Sequence, residues 1–176
     1  MILRRVGEKA MYEANDLLRL QREQYAHDQR NHADILHLSK SDRLKHYGLH
    51  FAKYVGRLAR GTSESKSVER TVIDTFLVCL SAANTLHQEL NSISVCQLSH
   101  QSTNDPVYVL ADAAGRFADA CEKIDHLEEF LPIAKQANAD VTRCVLSIAT
   151  ERAIDIEPAL KARRKELAAR QFYIAE

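Results

Sequence analysis

An all-α fold is predicted by three observations. The 176-residue chain contains only five glycines and three prolines, which favours long uninterrupted helices over a many-turned sheet protein. Its apolar residues recur at helical steps of three and four, with no strand-like alternation between the recurring segments. A hydrophobic content of 45% is enough to build one compact domain, or two small halves sharing a core.

The elements follow in order. A first helix over about residues 6–25 places Val6, Ala10, Ala14, Leu17 and Leu18 along one face with charges opposite. The polar tail through Asn31 has no apolar period and is expected to turn. Ser41 or Asp42 can cap a second helix, in which Leu44, Tyr47, Phe51, Tyr54 and Leu58 make one seam. Residues 61–65 read as a polar loop. A third helix over residues 68–90 is apolar nearly all round in its middle, which puts it at the centre of the fold.

After a polar link at 99–104, Asp105-Pro106 is a strong start signal: aspartate can cap, and proline is tolerated in the first turn. Leu110, Ala114, Phe117, Cys121 and Ile124 define that helix's buried stripe. Pro132 permits another start, with a helix through Asp140 to follow. Asp155 and Pro158 mark the last, a charged helix ending near Tyr173. The predicted architecture is a bundle of antiparallel hairpins. It divides into an N-terminal helix and connecting segment over residues 1–40, a first hairpin over 41–98 and a second over 99–176, forming one unit.

Composition narrows the partners. Twenty-four basic and 24 acidic residues give a formal net charge of zero, so general nucleic-acid or membrane-surface binding is not indicated. The first residues are followed by charges in place of an apolar stretch, so no signal peptide is read. Apolar runs such as residues 76–80 fall far short of the roughly 20 residues that span a bilayer. Cys79, Cys96, Cys121 and Cys144 lack the close pairing that a zinc site needs and read as reduced thiols of a cytoplasmic protein.

Ionisable groups that break these patterns are the functional candidates. On the second helix Arg43, His46, His50, Lys53, Arg57 and Arg60 form one ridge beside the apolar seam, and no acidic residue lies between Arg43 and Arg60. Stacked like charges cost a few tenths of a kcal/mol per adjacent pair. Either the ridge is a solvated face with scattered surface pairs, or carboxylates of another helix or a phosphate-bearing ligand are expected to face it. Asp74 lies on the central helix, where an unpaired buried carboxylate costs several kcal/mol. It must be paired, hydrated or bound to a cation.

Other constellations are weaker. His46 and His50 have metal-ligand spacing, but the neighbouring cations oppose a metal. Asp112, Asp119, Glu122 and His126 share a face that reads as solvated. Arg163, Arg164, Lys165 and Arg170 make the last helix basic, which suits its C-terminal dipole without a ligand. There is no glycine-rich phosphate loop, nor a recognisable nucleophile and base.

The chain also carries a duplicated signature. Gly56-Arg57-Leu58-Ala59 recurs as Gly115-Arg116-Phe117-Ala118, and each copy precedes an aspartate on the next apolar helix, Asp74 and Asp140. Together with the run Ala153-Ile154-Asp155-Ile156-Glu157-Pro158-Ala159-Leu160 before a basic helix, this order resembles the MazG-type all-α nucleoside triphosphate pyrophosphohydrolases. The resemblance covers about residues 42–90 and 107–172 and implies two tandem MazG-like hairpins. Members of that family hold magnesium on a Glu-Glu-x-x-Glu helix and a Glu-x-x-Asp helix, since hard oxygen ligands suit this ion.

Aligned on the glycine, the first copy offers Lys53, Tyr54 and Arg57 at the three glutamate positions, then Thr71 and Asp74. The second offers Asp112, Ala113 and Arg116, then Ala137 and Asp140. Only Asp74, Asp112 and Asp140 keep a metal-ligating side chain, and lysine and arginine reverse the local field. The usual magnesium-dependent hydrolysis is therefore expected to be lost, with no cofactor required.

His46, His50, Lys53, Arg57, Asp74 and Arg116 are the expected contacts to a nucleotide or another phosphate-bearing ligand. Two alternatives stand beside this reading. One is a helical scaffold whose basic ridge docks on an acidic partner helix. The other is a pyrophosphohydrolase with a relocated Mg²⁺ site. A monomer or a simple homodimer is compatible with a fused duplication.

Overall fold

The computed structural model describes residues 14–90 and 105–170. Val6, Ala10, Cys96, the link at 99–104 and Tyr173 lie outside them. Seven α-helices are present among the described residues: α1 Ala14–Asn31, α2 Ala33–Leu36, α3 Lys40–Arg60, α4 Val68–Leu86, α5 Pro106–Asp125, α6 Leu131–Glu151 and α7 Ile156–Ala168. No strand occurs there, so the fold is all-α.

Four helices make the bundle. α3 packs on α4 and α5, and α6 packs on the same two. Lys45 reaches Asp125, Gly48 faces Cys121, and Phe51 meets Phe117 edge-to-face at 5.0 Å, so α3 and α5 run antiparallel. Asn138 donates to the Cys79 carbonyl and Gln88 to the Lys135 carbonyl, which sets α4 against α6 in the same sense.

α1 and α7 lie on the remaining side of α4. This explains why α4 is apolar round most of its circumference: it is covered by bundle helices on one side and flanking helices on the other. Cys79, Cys121 and Cys144 are free and buried in this core.

Caps set several boundaries. Ser67 accepts from the Arg70 amide at the start of α4, and Asp105 accepts from the Val107 amide at the start of α5. The start of α3 differs from expectation: the cap is Ser39, which accepts from the Asp42 amide. α4 ends earlier than predicted, at Leu86, because His87 adopts a left-handed conformation and its amide closes on Ala83 and Asn84. Pro132 sits in the first turn of an unbroken α6 that runs past Asp140.

The largest departure is in α1, which continues as helix to Asn31 where a turn was expected. Its buried stripe is Leu17, Leu20, Gln21, Gln24, His27 and Asp28. The helical period persists, but its second half is written in polar residues, of which Gln21 and Asp28 bond to α4. Gln21 Nε2 donates to the Asn84 side chain and the Gln88 carbonyl, and Ser81 donates to Asp28. Buried polar groups matched in this way satisfy one another without an apolar side chain.

Gly48 offers a test of the packing. A methyl group added there meets Cys121 Sγ and Phe117 Cδ1 at 3.7 Å, ordinary van der Waals contact. Gly48→Ala should therefore stabilise the protein by about 1 kcal/mol through helix propensity alone. Denaturant melts comparing midpoints at constant slope would measure it.

Candidate functional site

A cavity of about 390 Å³ opens between α3 and α4 of the bundle and the flanking α1, α2 and α7. It exists because the chain turns twice in quick succession. His32 leaves the helical region at the end of α1, and the single-turn α2 then carries the backbone across to Ser39, the cap of α3. The corner holds Asp34, Ile35 and Leu36 over the cavity instead of closing α1 onto α3.

His46, His50, Lys53 and Arg57, four members of the basic ridge, line this space together with Asp74. Arg43 and Arg60 do not line it, and Arg60 bonds Glu64 instead. Neighbouring turns of α3 are coupled: His50 Nδ1 lies 3.1 Å from the Tyr54 hydroxyl and 3.3 Å from Lys53 Nζ. The Lys53 ammonium and the Arg57 guanidinium sit over the Tyr54 ring, at 4.7 and 5.4 Å from its centre.

Asp74 is surrounded by cations. Arg163 Nε donates to Oδ1 at 2.6 Å, while Arg57 and Arg70 approach Oδ2 at 3.5 Å each. Arg163 and Arg70 also share Glu166. Arg57 has no carboxylate of its own, and Lys53 has none within ion-pair distance among the described residues. Burial, then the Arg57 charge, lowers the Lys53 ammonium below its ordinary value. This end of the cavity carries uncompensated positive charge.

The six ligand-binding candidates are thus not all in one place. Arg116 lies outside the cavity: its guanidinium bridges Asp112 and Asp140 across α5 and α6. Arg57 Nη1 faces Asp74 Oδ2 between α3 and α4, and Arg116 Nη1 faces Asp140 Oδ2 between α5 and α6. One position decides the difference. Four residues before the arginine, the first copy has Lys53 and the second has Asp112, which neutralises Arg116 locally.

The carboxylates proposed for a metal are likewise separated. Asp112 and Asp140 share Arg116, Asp140 also accepts from Arg143 and Gln136, and Asp74 stands in the cavity under its arginines. Their oxygens are committed to guanidinium groups, which does not fit a magnesium ion. No cluster of three metal-ligating side chains occurs among the described residues.

Three helices, α7, α1 and α2, contribute groups not anticipated from the sequence. Arg163 is buried, not a solvated charge serving the helix dipole, and Arg164 bonds Gln24, Glu23 and the Leu20 carbonyl. The available signal was position, because Arg163 occupies the stripe of Ile156, Leu160 and Leu167 that packs inward. From α1 and α2 come Gln24, Asp28, His32 and Asp34. Asp28 accepts from Ser81 at 2.6 Å and Gln24 at 2.8 Å.

Burial dominates titration here and opposes charge of either sign. It raises Asp28 to about 6 and lowers His27 and His50 to about 4, with His32 and His46 also lowered. Asp28 adds stability below its ordinary value of 3.8 that is lost as pH rises through about 6. The histidines add stability above their ordinary value of 6.5, and His27 and His50 lose it as pH falls through about 4.

Four histidines outweigh one aspartate, so the thermal midpoint should fall on acidification from pH 6.5 towards 4. Asp28→Asn removes the opposing contribution and should steepen that fall, as calorimetric scans across this range would show.

Comparison with family models, with curated proteins and with solved structures finds no match to this chain.

Proposed function

We propose that this protein binds a nucleotide, or a closely similar phosphate-bearing molecule, in the cavity between α3, α4 and α7, without magnesium-dependent hydrolysis. One observation carries the reading: Lys53 and Arg57 converge with Arg163 on one end of a cavity where Asp74 is the shared counter-charge. Guanidinium and ammonium groups in this arrangement suit phosphate oxygens. Ile35, Leu77 and Val78 supply apolar wall for a base or sugar, and the volume falls within the range of small-molecule sites.

The resemblance to the MazG-type enzymes motivates the nucleotide but not their chemistry. Aligned on the glycine, Lys53 and Arg57 stand at two of the three positions where those enzymes have metal-binding glutamates. No hydrolytic step is assigned to this chain. The scaffold alternative is less favoured, since His46, His50 and Arg57 are half-buried along one cavity that opens to solvent, with Lys53 exposed at its lining.

A thermal-shift screen over nucleotides, with and without Mg²⁺, tests the proposal. A ligand at about 100 times its dissociation constant stabilises by about 2.7 kcal/mol. Nucleotides should raise the midpoint equally in both buffers. Stabilisation only with Mg²⁺, accompanied by pyrophosphate release, would restore the enzyme reading. No shift with any nucleotide would count against the binding site itself.

A further inference from the structure

The cavity is polarised, and its end away from the cations holds a carboxylate that phosphate binding does not use. From His46 to Arg57, α3 rises about 16 Å along the cavity, from the side of α2 to the Asp74 cluster. Asp28 lies on α1 beside Ser81, two helical turns of α4 beyond Asp74. It is only 6% exposed, yet it lines the cavity.

Its hydrogen bonds fix its orientation. Ser81 Oγ donates to Oδ2 and Gln24 Nε2 donates to Oδ1, so each oxygen is held by one neutral donor and keeps a second acceptor direction. Gln24 is in turn held by Arg164 through its own amide oxygen. A buried carboxylate braced on both oxygens by neutral groups gains from a ligand that brings two further donors side by side.

Resting on the nucleotide reading above, we propose that Asp28 reads the base, and that the base is guanine. Its N1–H and N2–H groups are adjacent donors that pair with the two carboxylate oxygens while the phosphate lies at Lys53 and Arg57. Adenine and cytosine place a ring acceptor beside the exocyclic amine, and uracil places a carbonyl on either side of its N–H. Each of these sets a lone pair against a carboxylate oxygen, which excludes it by repulsion as well as by a missing bond.

Calorimetric titration of the full chain with GMP, IMP and AMP tests this, since IMP differs from GMP only by lacking the 2-amino group. GMP should bind at least about tenfold more tightly than IMP, and AMP more weakly still. Asp28→Asn should bring the three within about twofold of one another, GMP binding weakening as the paired acceptors are lost and AMP binding strengthening as the repulsion is relieved. Ser81→Ala, which frees one carboxylate oxygen without removing it, should reduce the GMP preference in part.

Equal affinities for the three nucleotides in the wild type would overturn the guanine assignment and leave the phosphate site standing. So would a GMP preference that survives Asp28→Asn. Absence of binding by all three would overturn both.

Discussion

Arg163→Ala is expected to lower stability by about 3 kcal/mol, because it leaves a buried carboxylate short of its closest partner. The side chains of Arg163 and Asp74 are each only 9% exposed, and their bond is the shortest that Asp74 makes. Arg57 and Arg70 remain at 3.5 Å, which limits the loss but does not replace a direct hydrogen bond. For a domain of this size the change corresponds to about 10 °C in the thermal midpoint.

Asp74→Asn in the same background should recover part of that loss by removing the unpaired charge, and a double-mutant cycle would give the coupling directly. Equal destabilisation by Arg163→Ala with and without Asp74→Asn would mean that the arginine acts through packing alone.

The second large effect is on binding. Lys53→Ala and Arg57→Ala should each weaken nucleotide affinity about tenfold or more, the loss of one charge-assisted hydrogen bond to phosphate. Lys53 has no carboxylate partner among the described residues, so its removal should leave the thermal midpoint of the free protein nearly unchanged. Arg57→Lys should restore charge but not full affinity, since the planar fork is lost.

Arg116→Ala is the control: it sits outside the cavity, and Asp140 keeps Arg143 and Gln136. Its titration curve should match the wild type. If Lys53→Ala and Arg57→Ala instead dissociated an oligomer in sedimentation and left nucleotide titration unaltered, the scaffold reading would take the place of this one.

The helices were legible wherever burial was achieved with apolar residues. Leu44, Tyr47, Phe51 and Tyr54 are the buried seam of α3, and Leu110, Ala114, Phe117 and Cys121 that of α5, both at the predicted spacing. The continuation of α1 was not legible, because Gln21 and Asp28 are buried by hydrogen bonding across to α4 and Gln24 by bonding to Asp28 and to Arg164 of α7, and a hydrophobic period does not register such a stripe.

The same distinction applies to the site. The ridge on α3 stood out as cations without local counter-charge, and His46, His50, Lys53 and Arg57 do face one cavity. Arg163 did not stand out, since a basic residue in a basic helix has an ordinary explanation until the fold places it beside Asp74. Arg116 misled for the converse reason: the local motif matched Arg57, but Asp112 one turn earlier supplies the counter-charge that α3 lacks.

The central claim is that uncompensated cations at one end of this cavity hold phosphate without a metal. Titration of a nucleoside triphosphate into the 176-residue chain in magnesium-free buffer, repeated at rising salt, tests it most directly. Saturable binding at one site per chain is expected, with affinity falling as salt screens the Lys53 and Arg57 charges. Failure to saturate without magnesium, or an affinity indifferent to salt, would contradict it.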